Sequence, residues 1–172
     1  MANLSVSISE NINLNGSNRG STNTTSISNI TQVSNEIKSC PGGVEAGVET
    51  FLGNYASTVT AGQYSNYNYK DAKYVRVTNL STEYTIEVAF VSTGVDNICE
   101  GKTNEPDSYR VFLEPGQSSI LWNANRGKLG ASSVPDWARN LTNLSYVSVF
   151  NRTDLNIDIE FMVASSTPTS ED

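Results

Sequence analysis

The sequence predicts an all-β protein: an antiparallel β-sandwich, of jelly-roll or immunoglobulin-like type, with an extended N-terminal arm. Three observations point there. From residue 73 onward apolar and polar residues alternate in short runs, the period-2 signature of strands with one buried face. Turn-forming residues separate those runs, as in Asn79-Leu-Ser-Thr82, Glu114-Pro-Gly-Gln117 and Asn151-Arg-Thr-Asp154. Hydrophobic content is only 37%, and Asn, Ser and Thr take up much of the difference. Their side chains compete with the helical backbone ladder and favour strands, turns and loops. At 172 residues the chain has room for one sizeable core and no second full domain.

Residues 1–45 are free of aromatics and rich in Asn, Ser and Thr. Leu4, Val6 and Ile8 alternate with polar residues, and Ile27, Ile30 and Val33 follow more loosely, on either side of Asn15-Gly-Ser-Asn-Arg-Gly20. This pattern predicts an arm containing a hairpin with the Gly-containing loop at its tip. An arm so polar buries too little apolar surface to be rigid alone, so its order must come from the main domain or a neighbouring chain. The body is expected over 46–164, followed by an acidic tail over 165–172.

Within the body six strands are predicted, over 73–78, 84–90, 109–113, 118–122, 146–150 and 155–161. Tyr74-Val-x-Val-x-Asn79 recurs as Tyr146-Val-x-Val-x-Asn151, and Glu83-x-x-Ile-Glu-Val-x-Phe90 recurs as Asp154-x-x-Ile-Asp-Ile-x-Phe161. The repeated pattern reads as two hairpins, each closed by an Asn-led turn, with a Pro-Gly-turned hairpin between them. It is compatible with an internal duplication and equally with two unrelated amphipathic hairpins. Ser133-Val-Pro-Asp-Trp-Ala-Arg-Asn140 can form a single helical turn, with Pro135 early and Asp136 near the positive end of the helix dipole.

The same residues exclude several functions. A net charge of −7 and scattered basic residues do not suit phosphate neutralisation, so no nucleic-acid partner is expected. No apolar run is long enough to span a bilayer, and Met1-Ala-Asn-Leu-Ser5 lacks the basic and apolar regions of a signal peptide. The chain is therefore expected to be made in a cytoplasm, without a membrane partner, and Asn-x-Ser/Thr triplets such as those at Asn3, Asn79, Asn140 and Asn151 follow from composition. There is no histidine, which removes the commonest general base, every Ser-His or Cys-His nucleophile and the usual zinc ligand sets. Cys40 and Cys99 read as ordinary thiols or, after release from a reducing compartment, as a disulfide.

Paired carboxylates for glycoside hydrolysis are available in Glu45 with Glu49 or Glu87 with Asp158, but Glu87 and Asp158 occupy the polar faces of predicted strands, which fits a solvated surface better. The oxygen-rich stretch from Asp96 to Asp107 lacks the spacing of a calcium loop, and the turn at Pro41-Gly-Gly43 is not a phosphate-binding pattern. No catalytic residue, metal or cofactor is expected. Tyr64, Tyr67 and Tyr69, with Trp122 and Trp137, are the candidate contact residues, because such aromatics anchor protein interfaces and also stack on sugar rings.

The polar segment Leu14-Asn-Gly-Ser-Asn-Arg-Gly-Ser-Thr-Asn23 with Thr25-Ser-Ile-Ser-Asn-Ile30, the strand Tyr74-Val-Arg-Val-Thr-Asn79, and Phe112-Leu-Glu-Pro-Gly-Gln117 together resemble small structural proteins of tailed bacteriophages. The resemblance covers most of the chain loosely and brings no catalytic positions. It implies a virion protein made in the host bacterial cytoplasm, foremost a capsid decoration or cement protein. Its partners would be the major capsid protein or other virion proteins, and it would be a homo-oligomer in the particle. A tail, neck or fibre component is the second expectation, and a carbohydrate-binding host-recognition module the third.

Overall fold

The computed structural model describes residues 2–43, 48–54, 72–92, 108–122 and 144–166, and every regular element among them is a strand. In chain order these are β1 (Ala2–Ser9), β2 (Asn13–Leu14), β3 (Ser17–Asn18), β4 (Thr22–Ile30), β5 (Gln32–Cys40) and β6 (Val48–Asn54). They continue as β7 (Ala72–Asn79), β8 (Ile86–Ser92), β9 (Ser108–Leu113), β10 (Ser118–Trp122), β11 (Leu144–Asn151) and β12 (Ile157–Ser165). The helical turn expected over 133–140 lies outside the described residues.

From β5 onward the strands form two four-stranded antiparallel sheets, sheet I in the order β10-β7-β12-β5 and sheet II in the order β6-β11-β8-β9. The partners nest: β8 pairs with β9, β7 with β10, β6 with β11 and β5 with β12. The chain is thus one long hairpin closed between β8 and β9 and rolled up so that successive pairs alternate between the sheets. Of the two sandwich types expected, this nested eight-strand order is the jelly roll. The seven-strand immunoglobulin division does not fit it.

Alternation explains the core. Val75 and Val77 of β7, Ile86, Val88 and Phe90 of β8, Val147 and Val149 of β11, and Ile157, Ile159, Phe161 and Val163 of β12 meet between the sheets. Burying each such side chain contributes about 1.5–3 kcal/mol. All six predicted strands are present. β5 and β6 add to them, and β5, which lies within residues 1–45, pairs with β12 along its whole length, from Gln32↔Ser165 to Cys40↔Ile157.

The pairing of those strands differs from the expected hairpins. β7 and β8 lie in different sheets, as do β9 and β10, and β11 and β12. The connections are arches across the sandwich, and buried asparagines hold two of them. The Asn79 side-chain amide donates to the carbonyls of Tyr84 and Leu113 at 2.7 and 3.0 Å, while its oxygen accepts the Ser81 N–H at 3.0 Å. Asn151 donates to the carbonyls of Leu155 and Cys40 at 2.8 and 3.0 Å and accepts from the Thr153 N–H at 3.0 Å. Leu113 ends β9 in sheet II and Cys40 ends β5 in sheet I, so each asparagine ties its own sheet to the opposite one.

These two networks are equivalent by an internal pseudo-two-fold. Replacing β5–β8 by β9–β12 in turn, and the reverse, converts the order of sheet I into that of sheet II. The register follows, with Ile157 opposite Cys40 and Ile86 opposite Leu113. The repeated sequence pattern therefore occupies equivalent places in the fold. Beyond β5 the chain passes so close to the second arch that a Cβ at Gly42 would overlap the Asp154 peptide, and the Gly43 N–H donates to the Thr153 carbonyl at 2.8 Å.

Ahead of the sandwich, β1 and β4 pair as an antiparallel ribbon, from Leu4↔Ile27 to Ser9↔Thr22, and β2 and β3 form its tip. Leu14 and Ser17 bracket Asn15 and Gly16, whose φ angles of 52° and 79° make the two-residue turn that matches strand twist.

Candidate functional site

The ribbon is two-faced because its sequence alternates. Ser7 and Ser9 meet Thr24 and Thr22 hydroxyl to hydroxyl at 2.9 and 3.1 Å on one face. The other face carries Leu4, Val6 and Ile8. At the root, Leu4, Val6, Ile27 and Ile30 pack on Tyr74, Ile120, Met162 and Ala164, which belong to the outer face of sheet I. Tyr74 is left only 4% exposed, and burial pushes its phenol upward in pKa. Past that root the apolar residues continue without cover, with Ile8 42%, Ile12 50% and Leu14 58% exposed. A two-stranded ribbon is marginal by itself in water, so its distal half presents apolar groups and open strand edges that a further surface would stabilise.

Beside the ribbon, β5 forms one edge of sheet I, and no described strand pairs with its far side. Val33 and Ile37 stand exposed on its outer face, with Asn35 between them donating to Glu160 Oε1 at 3.0 Å. Glu160 also pairs with Arg76 at 2.8 Å, so a polar chain runs across β7, β12 and β5. On the inner face Lys38 donates to the Leu52 carbonyl at 2.6 Å and lies 6.0 Å from the Phe161 ring centroid.

The outer face of sheet II is aromatic and charged. Phe51 and Tyr146 meet edge to face at 5.3 Å, Phe112 is 64% exposed, and the Arg110 guanidinium sits 5.1 Å from the Phe150 ring centroid. At its centre Glu87 is buried between two arginines, with Arg110 Nη1 at 2.6 Å and Arg152 Nη2 at 2.7 Å. Hydrogen bonds first from Arg152 and then from Arg110 hold its carboxyl below the usual glutamate range against the opposing effect of burial.

Of the residues singled out in the sequence, Trp122 ends β10 opposite Tyr74. Tyr64, Tyr67, Tyr69 and Trp137 lie outside the described residues, as do Glu45, Cys99 and the stretch from Asp96 to Asp107. Glu87 and Asp158 do not form a pair. Each alternates with core residues on its own strand, so they stand on opposite outer faces, and Glu87 is ion-paired and buried where a solvated carboxylate was expected. Cys40 is a free, fully buried thiol. Among the described residues no group of His, Cys, Asp or Glu is arranged to hold a metal, and no helix is long and apolar enough to cross a membrane. The sequence pointed to a hairpin within residues 1–45, but neither its distal apolar residues nor the β5 edge were among the contact residues expected. Their signal was present in the Leu-Ser-Val-Ser-Ile-Ser alternation at 4–9 and in Val33 and Ile37 at even spacing. No family model, curated protein or solved structure matches the chain.

Proposed function

We propose that the protein is a structural component of a tailed-phage particle that decorates or cements the capsid lattice, and that its N-terminal ribbon engages a neighbouring virion protein. The observation that carries this reading is the ribbon itself. Its apolar face is anchored at the root on Tyr74 and Ala164 and then runs on uncovered through Ile8, Ile12 and Leu14. An anchored strand pair with open edges suits strand addition to another protein, with main-chain bonds giving affinity and alternate side chains giving register. A jelly-roll body supports the reading by analogy of fold only, since the same fold also serves lectins and enzymes.

The test is light scattering after size-exclusion chromatography, on the purified chain alone and after mixing with capsids of the phage that encodes it. Saturation of capsids at a fixed ratio is expected, and Ile8→Asp with Leu14→Asp should weaken binding at least about tenfold without lowering the melting temperature of the body. Rings or tubes that form alone and ignore capsids would move the assignment to the tail or neck. Binding to a glycan array with no affinity for any virion protein would replace it with host recognition.

A further inference from the structure

We infer that two copies of this chain associate through their β5 edges, pairing antiparallel about Asn35 to make one continuous eight-stranded sheet. Of the four edge strands of the two sandwich sheets, β5 is the longest at nine residues, against five for β10, six for β9 and seven for β6. β6 is further broken by a register shift opposite Val147 and Ser148. A long edge strand without proline is a template for another strand.

The sequence of β5 is complementary to itself in that register. With Asn35 on the two-fold axis, Val33 of each copy lies opposite Ile37 of the other, covering the two residues that are 57% and 68% exposed. Ser34 then faces Glu36, a hydroxyl against a carboxylate, and Gln32 faces Lys38. No like charges are directly opposed, which matters for a chain of net charge −7. Shifting the axis to Glu36 would set two carboxylates against each other. The chosen register also joins the polar chain Arg76, Glu160 and Asn35 of one copy to its counterpart in the other, through neighbouring Asn35 amides. Symmetry closes the contact after two copies, because an isologous β5 pair leaves no second β5 edge free.

The inference rests on the sheet edge and not on the virion reading, and it is tested on the full chain in the absence of capsids. Light scattering across a concentration series should give twice the mass of 18.6 kDa. Val33→Glu with Ile37→Glu, both at exposed positions, should raise the dissociation constant roughly 100-fold or more while leaving the melting temperature of the isolated monomer unchanged. Asn35→Cys in a Cys99→Ser background should give a covalent dimer on mild oxidation, because directly opposed residues in an antiparallel pair lie within disulfide reach. A monomer up to millimolar concentration, a dimer indifferent to the two glutamates, or failure of the Asn35→Cys variant to cross-link would overturn the inference.

Discussion

Asn79 and Asn151 show how much one polar side chain can decide when it is buried. Each is fully inaccessible, and each donates to two carbonyls, one within its own arch and one at the end of a strand in the opposite sheet. Truncating Asn151 to alanine removes the amide donor from the carbonyls of Cys40 and Leu155, the second of which keeps the Thr153 hydroxyl, a loss of roughly 1–3 kcal/mol. Urea denaturation of Asn151→Ala should show a lower midpoint with an unchanged slope, and Asn79→Ala should behave alike because its network is the pseudo-symmetric copy. Asn151→Asp keeps the acceptor for Thr153 but loses both donor bonds, so it should not rescue.

Glu87 makes the second residue-scale prediction. Its folded-state pKa is depressed by the hydrogen bonds from Arg152 and Arg110. The stability it contributes is therefore fully present above the unfolded-state pKa, about 4.3, and is lost as the pH falls through the lower folded-state value. Between pH 5 and pH 3 wild type should lose stability more steeply than Glu87→Gln, whose amide does not titrate there. Equal slopes for the two proteins in urea melts at pH 7, 5, 4 and 3 would show that the arginine pair does not hold the carboxylate in solution.

At the scale of elements, strands with a buried inner row were legible and their partners were not. β7, β8, β11 and β12 announce themselves because Val, Ile and Phe occupy every second position against a closed core. β5 hides because it is an edge: its inner row is Ser34, Glu36, Lys38 and Cys40, of which only Cys40 is buried, while its apolar residues point outward. The repeated Asn-led motif was visible too, but its meaning was not. Asparagine in a short polar connection signals a turn whether the chain doubles back in one sheet or crosses to the other, and the choice rests on Leu113 and Cys40, distant carbonyls that no local pattern reveals. The contact residues expected around Tyr64 and Trp137 lie outside the described structure, whereas the apolar overhang of the ribbon follows from an alternation already present at 4–9.

The ribbon also separates from the body in its stability. Gly16 sits at φ 79°, a backbone region that costs an L-residue about 1–2 kcal/mol. Gly16→Ala should therefore speed amide hydrogen exchange in β1 and β4 while leaving β7 and β12 protected as before. Equal acceleration in all four strands would mean that ribbon and sandwich unfold as one unit.

For the whole molecule the decisive feature is how the two pseudo-symmetric halves interleave. Every ladder in the sandwich joins a strand of β5–β8 to a strand of β9–β12: β10 with β7, β7 with β12, β12 with β5, β6 with β11, β11 with β8, and β8 with β9. Among the described residues neither half contains a sandwich strand pair of its own, so a core has to wait until the two halves meet, and the loop-closure entropy falls early in folding. A chain cut between Ser92 and Ser108 should thus give two fragments that are each unfolded alone, with no dispersed methyl resonances by NMR. Mixing them should restore the native spectrum at a rate that depends on concentration, because all six ladders become intermolecular. Independent folding of the fragment ending at Ser92 would mean that β5–β8 can pair among themselves, and the two pseudo-symmetric halves would then be autonomous units where the structure has a single interlocked one.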